Sequence, residues 1–374
     1  MTCMDKIRAA CLGILLLLVL SPHSTLAADQ GLFQTDVFVS GQGGYHTYRI
    51  PALLATSNGT LLAFIEARKN SSADNGDIDM VLKRSTDIGA AWGEPIMIWN
   101  EPGDVTVGNP VPVQDRETGA ILLLLTRDNL EIFVTKSNDH GLTWSEPRNI
   151  TPDVKAPDWR WVATGPGHGI QLESGRIIIP CDHTVDAGLG QGGVMHSHIM
   201  YSDDHGATWR LGASLPEHTD ECTAVQLADG ALYLNMRNNY FKSKRAFAVS
   251  ADSGESFGRL RWDSDLIEPV CQGSVLRYTR AGLSDKNRLL FSNPAARTRD
   301  HMTVKLSMDE ARSWPVSRVI YEGLAGYSDL TVLPDMSIGL LYENGTKRYH
   351  DKITFARFSL EWLTQSADRL PDGK

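Results

Sequence analysis

Cysteine is scarce in this 374-residue chain, with five in all. Cys3 and Cys11 stand in an N-terminal leader, and Cys181, Cys222 and Cys271 are odd in number and widely spaced. That pattern excludes a disulfide framework; it reads as three buried free thiols, with one bridge as the alternative. No Lys/Arg cluster occurs and the formal net charge is −9, which argues against a nucleic-acid partner. There is no phosphate loop, zinc signature or nucleophile elbow. His183, His196, His198 and His205 crowd together without metal-ligand spacing, so neither metal nor cofactor is expected. Only one long apolar run exists, Ala9–Leu20, preceded by Lys6 and Arg8 and followed by the small-residue site Thr25-Leu26-Ala27. Residues 1–27 therefore read as a signal peptide, which predicts a secreted or periplasmic protein starting at Ala28. The run is too short to span a membrane, and no later one is long enough.

What the chain does have is repetition. The form S-x-D-x-G-x-x-W begins at Ser85, Ser137, Ser202 and, with Phe257 in the aromatic place, Ser250; a degraded copy with Ala311 for glycine begins at Ser307. Asp bonds nearby backbone N–H groups, glycine accepts positive φ, and the aromatic pins the turn to a sheet, so each copy is a hairpin turn, an Asp box. A second set of turns interleaves: Asn58-Gly59, Thr118-Gly119, Ser174-Gly175, Asp229-Gly230, Asp285–Asn287 and Asp335–Ser337, each before an apolar run. The unit is strand, turn, strand, loop, strand, Asp-box turn, strand. An array of such units is predicted to be all-β: a six-bladed β-propeller of four-stranded antiparallel blades, one domain over residues 28–374. The last unit lacks its box. Its third strand is expected at Ile353–Phe358 and its fourth from the N-terminal segment near Val37–Val39, which would spare the ring an open edge.

The repeat also assigns phase. First-strand starts and second-strand ends share one face, with the loops joining strands two and three; the boxes lie on the other. At first-strand starts stand Arg49, Asn109, Gly165, Glu221, Gln272 and Tyr327. At second-strand ends stand Arg68, Arg127, Asp182, Arg237 and Glu343, with Arg297 and Arg299 just past the fifth and Asp74 in the first two–three loop. Singly, each arginine reads as a solvated surface residue; in phase, they converge. Converging arginines suit a carboxylate, which guanidinium binds bidentately. If that carboxylate sits on the carbon to be attacked, a carboxylate nucleophile meets a like charge, costing about 4 kcal/mol at about 4 Å. Neutral Tyr327, giving its proton to Glu221, avoids this, and Asp74 is placed to protonate a leaving oxygen.

These residues resemble the exo-α-sialidases (neuraminidases) of the bacterial and animal type. The resemblance rests on Tyr48-Arg49-Ile50-Pro51, Glu66-Ala67-Arg68, Glu221-Cys222, Asn235-Met236-Arg237-Asn238, Ser292-Asn293-Pro294 through Arg299, Gly326-Tyr327-Ser328-Asp329-Leu330 and Gly339-Leu340-Leu341-Tyr342-Glu343. It implies a hydrolase that removes terminal sialic acid from sialylated glycans. Arg49, Arg237 and Arg299 would hold the substrate carboxylate, and Asp74 would be the general acid/base. Tyr327 would be a nucleophile forming a covalent sialyl-enzyme with retention, the known exception to two-carboxylate glycosidases. Glu221 would accept its proton, Glu343 would orient Arg49, and Arg68 would reach the 4-hydroxyl region. Trp159 and Trp161 are candidates for an apolar pocket around the N-acyl group. A hydrolase for another 2-keto acid sugar (Kdn or Kdo) and a non-catalytic sialoglycan-binding propeller are the alternatives.

Overall fold

Turns bearing Gly and Asp punctuate apolar runs along the whole chain, and in the computed structural model those runs are antiparallel strands. The structure describes residues 31–185 and 193–371; the predicted leader, 1–27, lies outside them. Strand β1 (Leu32–Val39) comes first. One four-stranded sheet holds β2 (Thr47–Ala55), β3 (Leu61–Arg68), β4 (Ile78–Ser85) and β5 (Ile96–Trp99). The next holds β6 (Val107–Gln114), β7 (Ile121–Arg127), β8 (Glu131–Ser137) and β9 (Arg148–Asn149), followed by the short helix α1 (Thr151–Val154). The third runs β10 (Trp159–Thr164), β12 (Ile177–Val185), β13 (Val194–Ser202), β14 (Arg210–Ser214), with β11 (Ile170–Gln171) also on β12. The fourth holds β15 (Thr219–Gln226), β16 (Leu232–Asn238), β17 (Ala246–Ser250) and β18 (Arg261–Trp262). The remaining strands are β19 (Ser274–Thr279), β20 (Arg288–Pro294), β21 (Asp300–Ser307), β22 (Val316–Val332), β23 (Ile338–Gly345) and β24 (Lys352–Phe358). With β1 they make a seven-stranded sheet, and helix α2 (Leu360–Leu363) follows. Strand β22 serves both halves of that sheet. Up to Leu324 it pairs with β21, and from Leu324 onward with β23.

The arrangement is propeller-like, because each sheet packs its face on the next. Phe64 and Leu82 meet Leu123 and Leu125; Leu124 and Ile132 meet Ile177 and Met200; Ile178 and Ile199 meet Leu232 and Leu234; Tyr233 meets Leu289 and Phe291. Leu61 and Ile65 of the first sheet pack on Leu341 and Phe355 of the last strands. The N-terminal segment does join the final strand: β1 pairs with β24 from Leu32↔Phe358 to Val39↔Lys352.

The five Ser-x-Asp turns share one bonding scheme. The serine hydroxyl donates to the Asp carboxylate at 2.7–2.8 Å. Its oxygen accepts from the N–H four residues on at 2.8–3.0 Å. The Asp accepts from the N–H four residues beyond itself, also at 2.8–3.0 Å. Glycine is dictated twice over. Gly206 and Gly254 have φ of 83° and 94°, and a Cβ there would lie 2.4 Å from Leu122 and 2.0 Å from Ile199 of the preceding sheet. The degraded copy still forms: Ala311 takes φ 61°, and its methyl is buried with Leu227, Tyr233 and Trp314.

Cys181, Cys222 and Cys271 are free and buried. Among the described residues no helix is long and apolar enough to cross a membrane, and no cluster of three His, Cys, Asp or Glu could hold a metal.

Candidate active site

The innermost strands are interrupted where they reach the axis. Register shifts fall between Arg49 and Ala52 in β2, Gly108 and Val111 in β6, Thr219 and Cys222 in β15, and Ala325 and Ser328 in β22. Bulges of this kind re-aim side chains that alternation would send into the sheet. The residues they carry include Ile50, Asp220, Glu221 and Tyr327. Ile50 has φ 61°, a strained state for a β-branched residue. Two contacts hold it there: its N–H donates to Glu343 Oε1 at 3.0 Å, and its side chain packs on Cys271 and Tyr327.

Tyr327 is 5% exposed. Its hydroxyl donates to Glu221 Oε1. Arg237 Nη1 donates to Glu221 Oε2 at 2.8 Å and to Tyr327 Oη at 3.0 Å. Burial, then the Glu221 charge, push the phenol well above its ordinary pKa, against the pull of Arg237 and Arg49. Burial also raises the Glu221 carboxyl, although Arg237 opposes it. A buried phenol is thus bonded to a carboxylate with raised proton affinity, the arrangement a proton transfer between them needs.

Two more guanidinium groups complete the surround. Arg49 lies 5.0 Å from the Tyr327 ring centre and Arg299 5.6 Å; both also face Tyr349, at 5.4 and 4.9 Å. The buried Glu343 grips Arg49 at 3.1 and 3.3 Å and accepts the Tyr327 N–H at 3.1 Å. Asp74 stands at the entrance with its side chain 80% exposed. It accepts from Arg49 at 3.0 Å and from Arg68 at 2.7 Å, and Arg68 is braced by Glu66 at 2.6 Å. Desolvation pushes the Asp74 carboxyl up, but Arg68 and Arg49 together outweigh it and hold it below the ordinary range.

All eight residues singled out in the sequence, Arg49, Arg68, Asp74, Glu221, Arg237, Arg299, Tyr327 and Glu343, belong to this one contact network. Arg127 does not join it; it pairs with Glu131 at 2.6 Å and Glu101 at 3.5 Å. Arg297 is exposed, while Arg299 donates to the Val270 carbonyl at 3.2 Å. Trp159 is not at a pocket: it is buried in a core cluster, its ring 3.6 Å from that of His183. Two residues escaped sequence reasoning. Tyr349 sits in the β23–β24 loop, in the same phase as Asp74, and phase alone would have found it. Asp220 contacts Arg237 Nε at 3.2 Å, a charge contact without an aligned hydrogen bond, and carries no signal beyond adjacency to Glu221; Glu66, which the Glu66-Ala67-Arg68 motif already included, braces Arg68.

Residues 59–342 match the model of the BNR repeat-like domain. The chain is 33% identical over 369 residues to an exo-alpha-sialidase of Aspergillus fumigatus, covering 86% of each. This chain belongs to the sialidase family. That family comprises glycoside hydrolases, with relatives of this chain in bacteria, fungi and humans. The sialidase of Micromonospora viridifaciens is 36% identical over 362 residues, covering 88% of this chain and 54% of that protein. The chain thus spans about half of that relative's length. A solved Hadza microbial sialidase superposes with a TM-score of 0.81 at 30% identity, covering 88% of this chain and 69% of that one.

Proposed function

We propose that this chain is an exo-sialidase that hydrolyses terminal α-linked sialic acid from glycoconjugates, with retention, through a covalent sialyl-tyrosine. One observation carries the reading: Tyr327, Glu221 and Arg237 are mutually hydrogen-bonded where Arg49 and Arg299 converge. The substrate carboxylate takes the guanidinium groups of Arg49, Arg237 and Arg299. In doing so it displaces Asp74 from Arg49, and Asp74, now beside a like charge, gains proton affinity. Tyr327 Oη attacks the anomeric carbon as its proton passes to Glu221, and Asp74 protonates the departing glycosidic oxygen. Water, deprotonated by Asp74, then attacks the same carbon; the C–O bond to Tyr327 breaks and Glu221 returns the proton to the phenol. Two inversions give net retention.

The scaffold proposed for this chemistry is a six-bladed propeller over residues 28–374, with Asp boxes at the five turns. Counting six treats the seven-stranded sheet as two blades joined through β22, whose pairing switches at Leu324. Residues 1–27 are proposed to be a signal peptide and the enzyme to be secreted or periplasmic.

The test is release of 4-methylumbelliferone from its α-sialoside between pH 4 and 8, with the sugar's first-formed anomer read by proton NMR. Release with the α-anomer appearing first is expected, and Tyr327→Phe, which removes the attacking oxygen, nearly abolishes turnover. No release would leave a binding propeller; release from Kdn or Kdo conjugates alone would change the substrate; β-anomer first would remove the covalent step.

A further inference from the structure

The three converging arginines are not held alike. Arg49 pairs with Glu343 and Arg237 with Glu221. Arg299 pairs with no carboxylate among the described residues: its hydrogen bond runs to the neutral Val270 carbonyl, and Arg237 faces it as a like charge. Asp74 senses the Arg299 charge without pairing with it.

What Arg299 does meet is two aromatic faces. Its guanidinium lies 4.9 Å from the Tyr349 ring centre and 5.6 Å from that of Tyr327. Arg49 lies against the same two rings, at 5.4 and 5.0 Å. Two cations and two rings thus alternate, and the negative ring faces offset the repulsion between the cations. Tyr327 keeps its hydroxyl on Glu221, so the ring left to serve the arginines is Tyr349.

The fold fixes Tyr349 from three sides. It stands in the β23–β24 turn, residues 346–351, where Asp351 Oδ2 accepts from the N–H groups of Thr346, Lys347 and Arg348 at 3.0, 2.8 and 3.2 Å. The segment after β1 ties this turn down: the Ser40 hydroxyl donates to the His350 carbonyl at 2.9 Å, and the Ser40 N–H to the Asp351 carbonyl at 3.0 Å. The Tyr349 ring lies edge-on to His350, centres 4.8 Å apart. Behind it Gly326, the residue before Tyr327, leaves it room; a Cβ there would lie 2.8 Å from the ring.

We propose that Tyr349 is a positioning residue of the carboxylate site, its ring face holding Arg299 in line with Arg49 for the substrate carboxylate. The inference rests on the catalytic reading above for the identity of that ligand. Tyr349 acts through Arg299, since Glu343 holds Arg49 independently.

Isothermal titration of the full chain with the unsaturated sialic acid analogue tests this. Tyr349→Leu is expected to weaken binding about 3–30-fold, the range of one cation–π contact. KM for the methylumbelliferyl sialoside rises by a similar factor with kcat within about twofold, because the carboxylate is held alike in ground and transition states. Tyr349→Phe, which keeps the ring, restores affinity to within about twofold of the parent. In an Arg299→Met background, Tyr349→Leu costs less than about twofold more, because the contact it removes is already gone. Parental affinity in Tyr349→Leu, no rescue by phenylalanine, or a full further loss in the Arg299→Met background overturns the proposal; the last would mean that Tyr349 touches the sugar itself. A parent chain that binds the analogue without cleaving the sialoside fails the catalytic reading alone, and the binding comparison still decides Tyr349. A parent that does not bind the analogue overturns both.

Discussion

Of the two carboxyls that the proposed reaction uses, one suits its task in the free protein and the other is set against it. Asp74 must deliver a proton, yet Arg68 and Arg49 hold it ionised; Glu221 must accept one, and burial raises its affinity. The substrate carboxylate resolves the conflict by taking Arg49 from Asp74. Binding the unsaturated sialic acid analogue near pH 5 is therefore expected to draw a proton from solution. Calorimetry in buffers of different ionisation enthalpy reads that uptake, and Asp74→Asn should reduce it; unchanged uptake would take Asp74 out of the mechanism. The lowered Asp74 pKa contributes stability above the unfolded carboxyl value, lost as pH falls through the folded one, but little, because the side chain is exposed. Glu343 is the opposite case. It is fully buried and accepts from Arg49, the Ile50 N–H and the Tyr327 N–H, so it fixes both the guanidinium and the strained backbone beside the phenol. Glu343→Gln turns an amide donor toward those donors. A loss of about 3–5 kcal/mol in unfolding free energy is expected, as for breaking a buried pair, with a higher KM. A variant as stable as the parent would reduce Glu343 to a spectator.

At the level of turns and strands, what is local was legible. The five Ser-x-Asp turns and six second-strand runs could be read because their hydrogen bonds close within a few residues, and β3, β7, β12, β16, β20 and β23 all follow the predicted turns. The site residues were found through that phase. The bulges that aim Glu221 and Tyr327 inward were not legible, because a register shift is a property of two paired strands and leaves no mark in either alone. The same limit misplaced Trp159: an aromatic at a first-strand start reads as pocket lining until His183 is seen stacked on it. Turn glycines give a quantitative check. At Gly254 a Cβ meets Ile199 at 2.0 Å, whereas at Gly230, with φ 92°, it meets nothing within 4 Å. Gly230→Ala is expected to cost about 1–2 kcal/mol, the left-handed backbone alone. Gly254→Ala adds overpacking of about 1–3 kcal/mol. Equal urea midpoints for the two variants would mean that the turn does not abut the preceding sheet as tightly as described.

For the molecule as a whole, the decisive contact joins the two ends of the chain. Strand β1 pairs with β24, buries Val37 and Phe38 in the cluster that holds Leu61 and Phe355, and receives Lys83 Nζ on the Val37 carbonyl at 2.8 Å. The first sheet thus meets the last strands both directly, Leu61 and Ile65 on Leu341 and Phe355, and through a segment that precedes it in sequence. Nothing local makes this contact, so its formation waits on nearly every other strand, and such non-local pairing is slow. Its removal should be felt everywhere. A chain beginning at Ser40 loses two buried apolar side chains, about 1.5–3 kcal/mol each, and leaves β24 as a bare edge that templates association. The expected result is a lower urea midpoint together with concentration-dependent light scattering, both reversed by supplying residues 31–39 as a peptide. Should the shortened chain unfold at the parent's midpoint and stay monomeric, the sheets are held together by their faces alone, and the β1–β24 ladder is incidental to ring stability.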